Sequence, residues 1–447
     1  MDWSFLIRNK DALNVTTDSR KVTPGCIFVA LKGEHFDGND FVEQAKAAGA
    51  EYIISGENAL QELQDLARAW RRSLNIPILA ITGTNGKTTT KELCAAVLAK
   101  RYKVCYTQGN LNNQLGVPLT LLSITRAHEM AIIEMGASHP GDIKELVEIA
   151  EPTDALITNV GKAHLQGFGS FEGVMAAKGE LYDWIIAHGG TIFYNADNPY
   201  LCKMLEKRLP KGRKIKRKKF NLYHWYNTVT FPSSDVEVGL YRYRASQCPI
   251  KVSETHLVGD YNQENIAAAF AVGMCWEWVS PHCREAICGY VPTNNRSQLL
   301  QTERNTVVVD AYNANPTSMT AAINAFDNHL SQITNHKSPI TNHQSPITNH
   351  QSPITNHQSD CYILGAMREL GEYSRLEHQN IVNMLLERKA DKVLLVGEEY
   401  KDTTAPYPVF DNVEALCENL KTNPLAGFRI LLKGSRSNQL EKVIPFL

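Results

Sequence analysis

The stretch IPILAITGTNGKTTTKELCAAVLAKR, from Ile76 to Arg101, decides how the chain is read. Ile76 to Ala80 are mostly apolar and strand-prone, interrupted only by Pro77, and they lead into Ile81-Thr82. A tight turn, Gly83-Thr84-Asn85-Gly86-Lys87-Thr88, follows. Leu93, Ala96, Val97 and Lys100 then recur at the spacing of a helix. Strand, glycine turn, Lys-Thr and helix is the layout of a phosphate-binding loop. Glycines let backbone N–H groups converge on phosphate oxygens, the helix N-terminus adds positive potential, and Lys87 brings a full charge. Thr88 offers a hydroxyl to Mg2+, with Thr89 beside it. The strict form of the motif asks for one more glycine at position 81, where this chain has Ile81. A glycine turn without a ligand is the alternative, and it leaves the run Lys-Thr-Thr-Thr unexplained.

At 447 residues the chain exceeds one ordinary core, so several domains are expected. Hydrophobic residues make up 43% and charged residues 21%, as in ordinary globular proteins. The formal net charge of -1 gives no global field toward nucleic acid or a membrane surface. No basic segment followed by an apolar one opens the chain at Met1, and no apolar run reaches the ~18 residues of a membrane span. Neither membrane insertion nor nucleic acid binding is therefore expected. Ten scattered cysteines without a C-x-x-C pair suit reduced thiols in a cytoplasm.

Outward from the loop, the chain reads as α/β in three regions. Residues 1–75 form a small α/β unit, with CIFVAL and AEYIIS as strands and FVEQAKAAG as a helix between them. Its turn Thr17-Asp18-Ser19-Arg20 could hold a phosphate or sugar through Ser19 and Arg20. It could equally be an N-cap beside a solvated arginine. Residues 76–292 alternate strands and helices, which predicts a mostly parallel sheet with ligands at the carboxyl ends of its strands. Glu134 ends the strand MAIIE, and His164 follows the strand ALIT. Alone, each is ordinarily a satisfied structural residue; two of them opposite a phosphate loop in one sheet shift the reading toward Mg2+, which needs a few hard ligands beyond the threonine. Asn112 and Asn113 stand in the loop GNLNNQ. Lys178 opens a helix, where a lysine is ordinarily solvated. Asn265, at the start of an apolar helix, either caps it or suits an adenine edge. The basic run from Lys203 to Lys219 lacks interleaved aromatics and reads as a solvated edge.

Residues 293–447 read as a second, Rossmann-like sheet. TVVVD, DCYILG, DKVLLV and FRILLK are its successive strands, and Asp310, Arg368 and Lys433 lie at or just after strand ends. No G-x-G-x-x-G accompanies them, so a dinucleotide cofactor is not expected. From Ile333 to Gln358 a seven-residue unit, ITNHQSP, repeats nearly verbatim. Proline in every unit forbids a continuous helix, so 333–358 reads as a polar, low-complexity insert.

Together these motifs resemble the Mur ligase family over essentially the whole chain apart from the insert. The resemblance rests on TDSR and GCIFVALKG, GTNGKTTT, GNLNNQLGVP, EMGASHPGDI, NVGKAHLQGFGS, AAKGEL, GDYNQENIAAA, DAYNANPTSM, LGAMRELGEYS and LLKGSRS. DAYNANP and the L-G-x-M-x-E-L-G-E run point to the members that join D-alanyl-D-alanine to UDP-N-acetylmuramoyl-tripeptide. The resemblance implies three domains: UDP-binding (1–75), ATP-binding (76–292) and C-terminal (293–447). It implies an ADP-forming, ATP- and Mg2+-dependent amide ligase of peptidoglycan precursor synthesis, acting as a cytoplasmic monomer. Gly83, Thr84, Asn85, Gly86, Lys87, Thr88 and Thr89 would cradle ATP. Asn265, Arg296 and Asp310 would contact the nucleotide. Thr88, Glu134, His164 and Lys178, the last as a carbamate, would hold metal. Lys87, Glu134, His164 and Lys178 would form the catalytic set, while Asn112, Asn113, Ser19 and Arg20 would contact the UDP-muramyl-peptide. The chain departs from the family pattern at Asn39, Tyr261, Asn295 and Ala366. The alternatives are a Mur ligase adding one amino acid, a folylpolyglutamate-synthase-like ligase, and a P-loop NTPase or kinase. No Asp-Asn-Pro-Arg motif supports the diaminopimelate-adding version of the first.

Overall fold

Short apolar runs bounded by turn residues, with no polar alternation, suit strands covered on both faces, and the central strands of this chain are such runs. All five residues of β4, Ile78–Thr82, are buried, as are all those of the strand ending at Glu134. The computed structural model describes residues 3–33, 36–209, 214–219, 225–230, 236–276, 280–293, 296–328 and 359–447. The repeat insert at 333–358, Asn295 and residues 210–213 of the basic run lie outside the described residues.

The described chain falls into two compact units. The first comprises Met1–Gly161, Gly167–Ile250 and Gln263–Ile287. It carries a three-stranded parallel sheet of β1 (Val15–Thr16), β2 (Ile27–Val29) and β3 (Tyr52–Ile54). Its second sheet holds β4, β5 (Val104–Tyr106), β6 (Met130–Glu134), β7 (Asp154–Ile157), β8 (Gly190–Asn195), β9 (Lys214–Lys219), β10 (Trp225–Thr230) and β11 (Glu237–Tyr243). The order is β5-β6-β4-β7-β8-β11-β10-β9, parallel except for the β11-β10-β9 edge. β4 therefore lies between β6 and β7, and this adjacency puts the phosphate loop beside Glu134 on one flank and the 158–161 loop on the other.

Two local readings are sharpened. Ile81 pairs with Glu134 on one side and Leu156 on the other, fully buried inside β4, so the loop proper begins at Gly83. The helix after the loop, Lys87–Leu98, buries Leu93, Cys94, Val97 and Leu98. Lys100 lies beyond its end and pairs with Glu285 at 2.7 Å, so the apolar stripe runs through Cys94 and Leu98 and not toward Lys100. A helix over Ala59–Ser73, with Leu63, Leu66, Ala67 and Trp70 on its buried face, joins the small sheet to the core of the larger one. There the Trp70 indole donates to the Ile124 carbonyl at 2.8 Å, and Arg71 caps the carbonyls of Ala150 and Glu151.

The second unit comprises Lys162–Gln166, Lys251–Asn262 and Cys288–Leu447. Its sheet contains β12 (Gln298–Gln301), β13 (Thr306–Asp310), β14 (Ser359–Gly365), β15 (Lys392–Val396), β16 (Val409–Phe410) and β17 (Phe428–Lys433). The order is β12-β13-β17-β14-β15-β16, with only β12 antiparallel. Apolar cores cover both faces of this sheet. Among the described residues no helix is long and apolar enough to cross a membrane.

Candidate active site

The phosphate loop is shaped by what approaches its glycines. Gly83 has φ +148°, and a Cβ there would lie 1.9 Å from the Thr158 hydroxyl; at Gly86, φ +78°, it would lie 2.3 Å from Asn265 Oδ1. Any side chain at either position collides with a neighbour that defines the loop, which is why both are glycine. Thr84 accepts the Gly161 N–H on its hydroxyl at 2.9 Å. Lys87 donates to the carbonyls of Gly83 at 2.7 Å and Thr84 at 3.1 Å, so its ammonium sits over the loop. Thr89, in the first turn of the helix, is nearly buried.

Behind the loop, Thr88 Oγ1 donates to Glu134 Oε2 at 2.9 Å, and the Asn112 amide donates to Glu134 Oε1 at 2.8 Å. Thr88 and Glu134 start from different strands of one sheet and meet because β4 and β6 are neighbours. Their separation suits two adjacent ligands of an octahedral Mg2+. Metal–oxygen bonds of about 2.1 Å place such oxygens about 3 Å apart. Hydroxyl and carboxylate are the hard oxygen donors this ion takes, so the pair fits it. Among the described residues no three His, Cys, Asp or Glu side chains gather as a metal site. Mg2+ commonly takes one or two protein oxygens and completes its shell with phosphate and water, which two such donors permit.

A residue the motif reading passed over completes this cluster. Lys91 is fully buried, donates to the Thr107 carbonyl at 2.6 Å and lies 3.9 Å from Glu134 Oε2. One turn beyond Lys87 on the same helix it looks like a solvated lysine; besides its neighbour Glu92 at 3.1 Å, its partners reach it through the strand order β5-β6-β4. Lys178 is likewise buried, against expectation for a helix lysine. Its ammonium faces the Phe168 ring at 5.6 Å. Burial, and secondarily the charge of Lys87, hold its pKa well below the ordinary lysine range, with Asp142 opposing. Glu180, two residues on, accepts the N–H groups of Gly141 and Lys144 and so ties the Lys178 helix to the helix Asp142–Ala150.

The other candidates separate. Asn113 caps the helix Gly116–Leu122 by accepting the N–H of Gly116 at 2.9 Å, whereas Asn112 turns to Glu134. Asn265 lies in the first turn of the helix Asn262–Cys275 and accepts the Thr90 hydroxyl at 3.1 Å, facing the phosphate loop. Ser19 opens a 3-10 turn in which Asp18 accepts the Arg20 N–H, and the Arg20 guanidinium folds onto Asp18 at 2.8 Å. Asn39 bridges Asp37 and the Gly56 N–H. In the second unit His164, at φ +50°, meets the Glu369 carboxylate. Arg296 lies 3.8 Å above the Tyr312 ring, and Tyr261 shares a hydrogen bond of 2.9 Å with Ser297. Lys433, almost wholly buried, donates to Asp310 at 2.7 Å. Ala366 packs in the core beneath β14.

Residues 81–273 match the Mur ligase middle domain and residues 13–104 the Mur ligase family catalytic domain. The UDP-N-acetylmuramoyl-tripeptide–D-alanyl-D-alanine ligase of Escherichia coli K12 is 33% identical, over 97% of this chain and 93% of its own. The chain belongs to the Mur ligase family. The enzyme of the same name from Bacillus subtilis 168 is 30% identical, over 97% of this chain and 92% of its own. MurF from Acinetobacter baumannii superimposes with a TM-score of 0.71 at 26% identity, covering 97% of this chain and 92% of that one. MurF ligase from Thermotoga maritima, solved with ADP, shares the fold with a TM-score of 0.74 at 24% identity, over 98% of each chain.

Proposed function

We propose that this Mur ligase joins D-alanyl-D-alanine to UDP-N-acetylmuramoyl-tripeptide with conversion of ATP to ADP and phosphate, in peptidoglycan precursor synthesis. The observation that carries the reading is the Thr88–Glu134 pair, buried beside the phosphate loop with Asn112 on its second carboxylate oxygen. Full-length relatives of that name support the choice of substrates.

A carboxylate resists an amine because its charge repels the nucleophile and oxide is a poor leaving group. Transfer of the γ-phosphoryl group to the tripeptide carboxylate gives an acyl phosphate. The dipeptide amine then attacks the carbonyl carbon, the C–O bond to phosphate breaks, and the amine proton passes to base or water. Phosphoryl transfer asks little covalent chemistry of a protein, so positioning and charge carry it. Gly83 to Thr89 cradle the phosphates, and Lys87 moves from its loop carbonyls onto the β/γ oxygens. Mg2+ would be held by Thr88 and Glu134, with His164 and a Lys178 carbamate as further holders. It would supply charge neutralisation on the transferring phosphoryl oxygens. Lys178 suits carbamate formation because its neutral amine is the form that adds CO2, with release of a proton. Asn265, Arg296 and Asp310 contact the nucleotide. Asn112, Asn113, Ser19 and Arg20 serve the UDP-muramyl-peptide. The enzyme works as a cytoplasmic monomer.

The test is an acceptor panel with ATP, Mg2+ and UDP-muramyl-tripeptide, reading phosphate release and product mass. Phosphate release that needs D-alanyl-D-alanine, with a product heavier by that dipeptide less water, supports the assignment. Turnover with single amino acids alone, or release without any acceptor, overturns it.

A further inference from the structure

The tip of the phosphate loop is held by a residue outside both the loop and the proposed substrate contacts. Asn159 follows β7 and meets Asn85 twice. Its Oδ1 accepts the Asn85 N–H at 3.0 Å, and its Nδ2 donates to the Asn85 carbonyl at 3.2 Å. The Asn159 carbonyl accepts the Thr84 N–H at 3.0 Å, and the Thr158 hydroxyl donates to the Asn85 carbonyl at 2.6 Å. The Asn159 amide also donates to the Glu264 carboxylate, beside Asn265 at the start of the helix Asn262–Cys275. One acceptor and two N–H donors are thereby all in use, which a primary amide alone among short side chains can provide.

We infer that Asn159 is a positioning residue for ATP: it fixes the peptide groups of Thr84 and Asn85 and ties the loop tip to the helix bearing Asn265. Phosphate binding by a loop depends on backbone N–H groups already pointing inward. Both flanking glycines have left-handed φ values, and these residues gain no rigidity from side chains of their own. Lys87 holds the Gly83 and Thr84 carbonyls from within the loop, and Thr158-Asn159 hold Asn85 from outside it, at the point between the two glycines. The same amide, through Glu264, keeps the base-side helix in register with the phosphate side. With its polar atoms committed, Asn159 acts through the loop and touches no substrate.

The inference rests on Gly83–Thr88 binding the nucleotide, and the experiment separates the two claims. MgADP is titrated calorimetrically into the full-length wild type, Asn159→Ala and Asn159→Asp, and KM is measured for ATP, muramyl-tripeptide and dipeptide. Asn159→Asp keeps size and Oδ1 but sets a carboxylate against the Asn85 carbonyl and Glu264. The expected result is a rise of about tenfold in MgADP Kd and ATP KM for Asn159→Ala. A larger rise is expected for Asn159→Asp, with the dipeptide KM unchanged in both variants and the melting temperature unchanged in Asn159→Ala. MgADP affinity within twofold of wild type in both variants overturns the inference. So does a joint rise of all three KM values with a lowered melting temperature. Should Asn159→Ala not fold, Asn159→Ser is read by the same criteria. Failure of the wild type itself to bind MgADP overturns the loop assignment instead.

Discussion

The charged groups behind the phosphate loop and those of the Asp18–Arg20 turn use the same chemistry under opposite conditions. Lys91 and Glu134 are 0% and 2% exposed, 3.9 Å apart, and held by Thr107, Thr88 and Asn112 as well as by each other. Arg20 is 84% exposed and leans on a partly exposed Asp18 within the same turn. Hydrogen bonds from the Arg20 guanidinium, and then from its backbone N–H, lower the Asp18 carboxyl to about 2. In water such a pair is screened and contributes little to the fold. Away from water, charges demand partners, and the set behind the loop has one geometry in which all are satisfied. The difference separates a cluster whose geometry is fixed by its buried partners from a turn whose charged pair stays screened by water.

The sharpest break in this comparison is to remove the charged groups at the phosphate loop. Lys87→Ala and Glu134→Ala are each expected to lower phosphate release by about a thousandfold, the scale of losing a fixed charge at a phosphoryl group. Steady-state phosphate assays check this, and near-normal turnover in either variant contradicts the site. In the second unit, Lys433→Met leaves Asp310 without its buried partner. Breaking a buried pair in this way costs about 3–5 kcal/mol, to be read by denaturant unfolding.

Lys178 gives a test with a sign in pH. Its folded pKa is lowered by burial, so below the ordinary lysine value of about 10.4 the unfolded chain holds a proton the folded chain lacks. Stability must therefore rise with pH from the lowered folded value up to about 10.4. In CO2-free buffer Lys178→Met is expected to melt higher than wild type at neutral pH, with the gap closing toward pH ~10. A gap independent of pH contradicts a neutral buried amine. The smallest effect belongs to the exposed turn. Arg20→Ala should leave the melting temperature unchanged and raise only the KM for the UDP-linked substrate, by a few-fold. A fall in stability there would show that the turn is more than a solvated pair.

The sequence was most legible where apolar runs and glycine punctuation agree. β4, the loop and the helix after it, Glu134 at the end of β6, and the parallel strands of the second unit all follow from period and composition. It was least legible where partners come from distant strands. Lys91 and Lys178 look like surface lysines at helical positions, and nothing local tells that one reaches Thr107 and the other is sealed beside Phe168. Asn113 resembles Asn112 in the motif, yet one caps a helix and the other meets Glu134, a choice made by backbone direction. Asn159 opens the run NVGKAHLQGFGS, yet that run alone does not tell its role, which is defined by the loop it clasps.

Isotope transfer addresses the central claim most directly. With the reacting carboxylate of UDP-muramyl-tripeptide labelled with 18O, an acyl phosphate made at this site must pass a labelled oxygen to the phosphate released when the dipeptide amine attacks. Mass spectrometry of that phosphate should find the label, dependent on ATP and lost in Glu134→Ala. Unlabelled phosphate released alongside ligated product would contradict the mechanism.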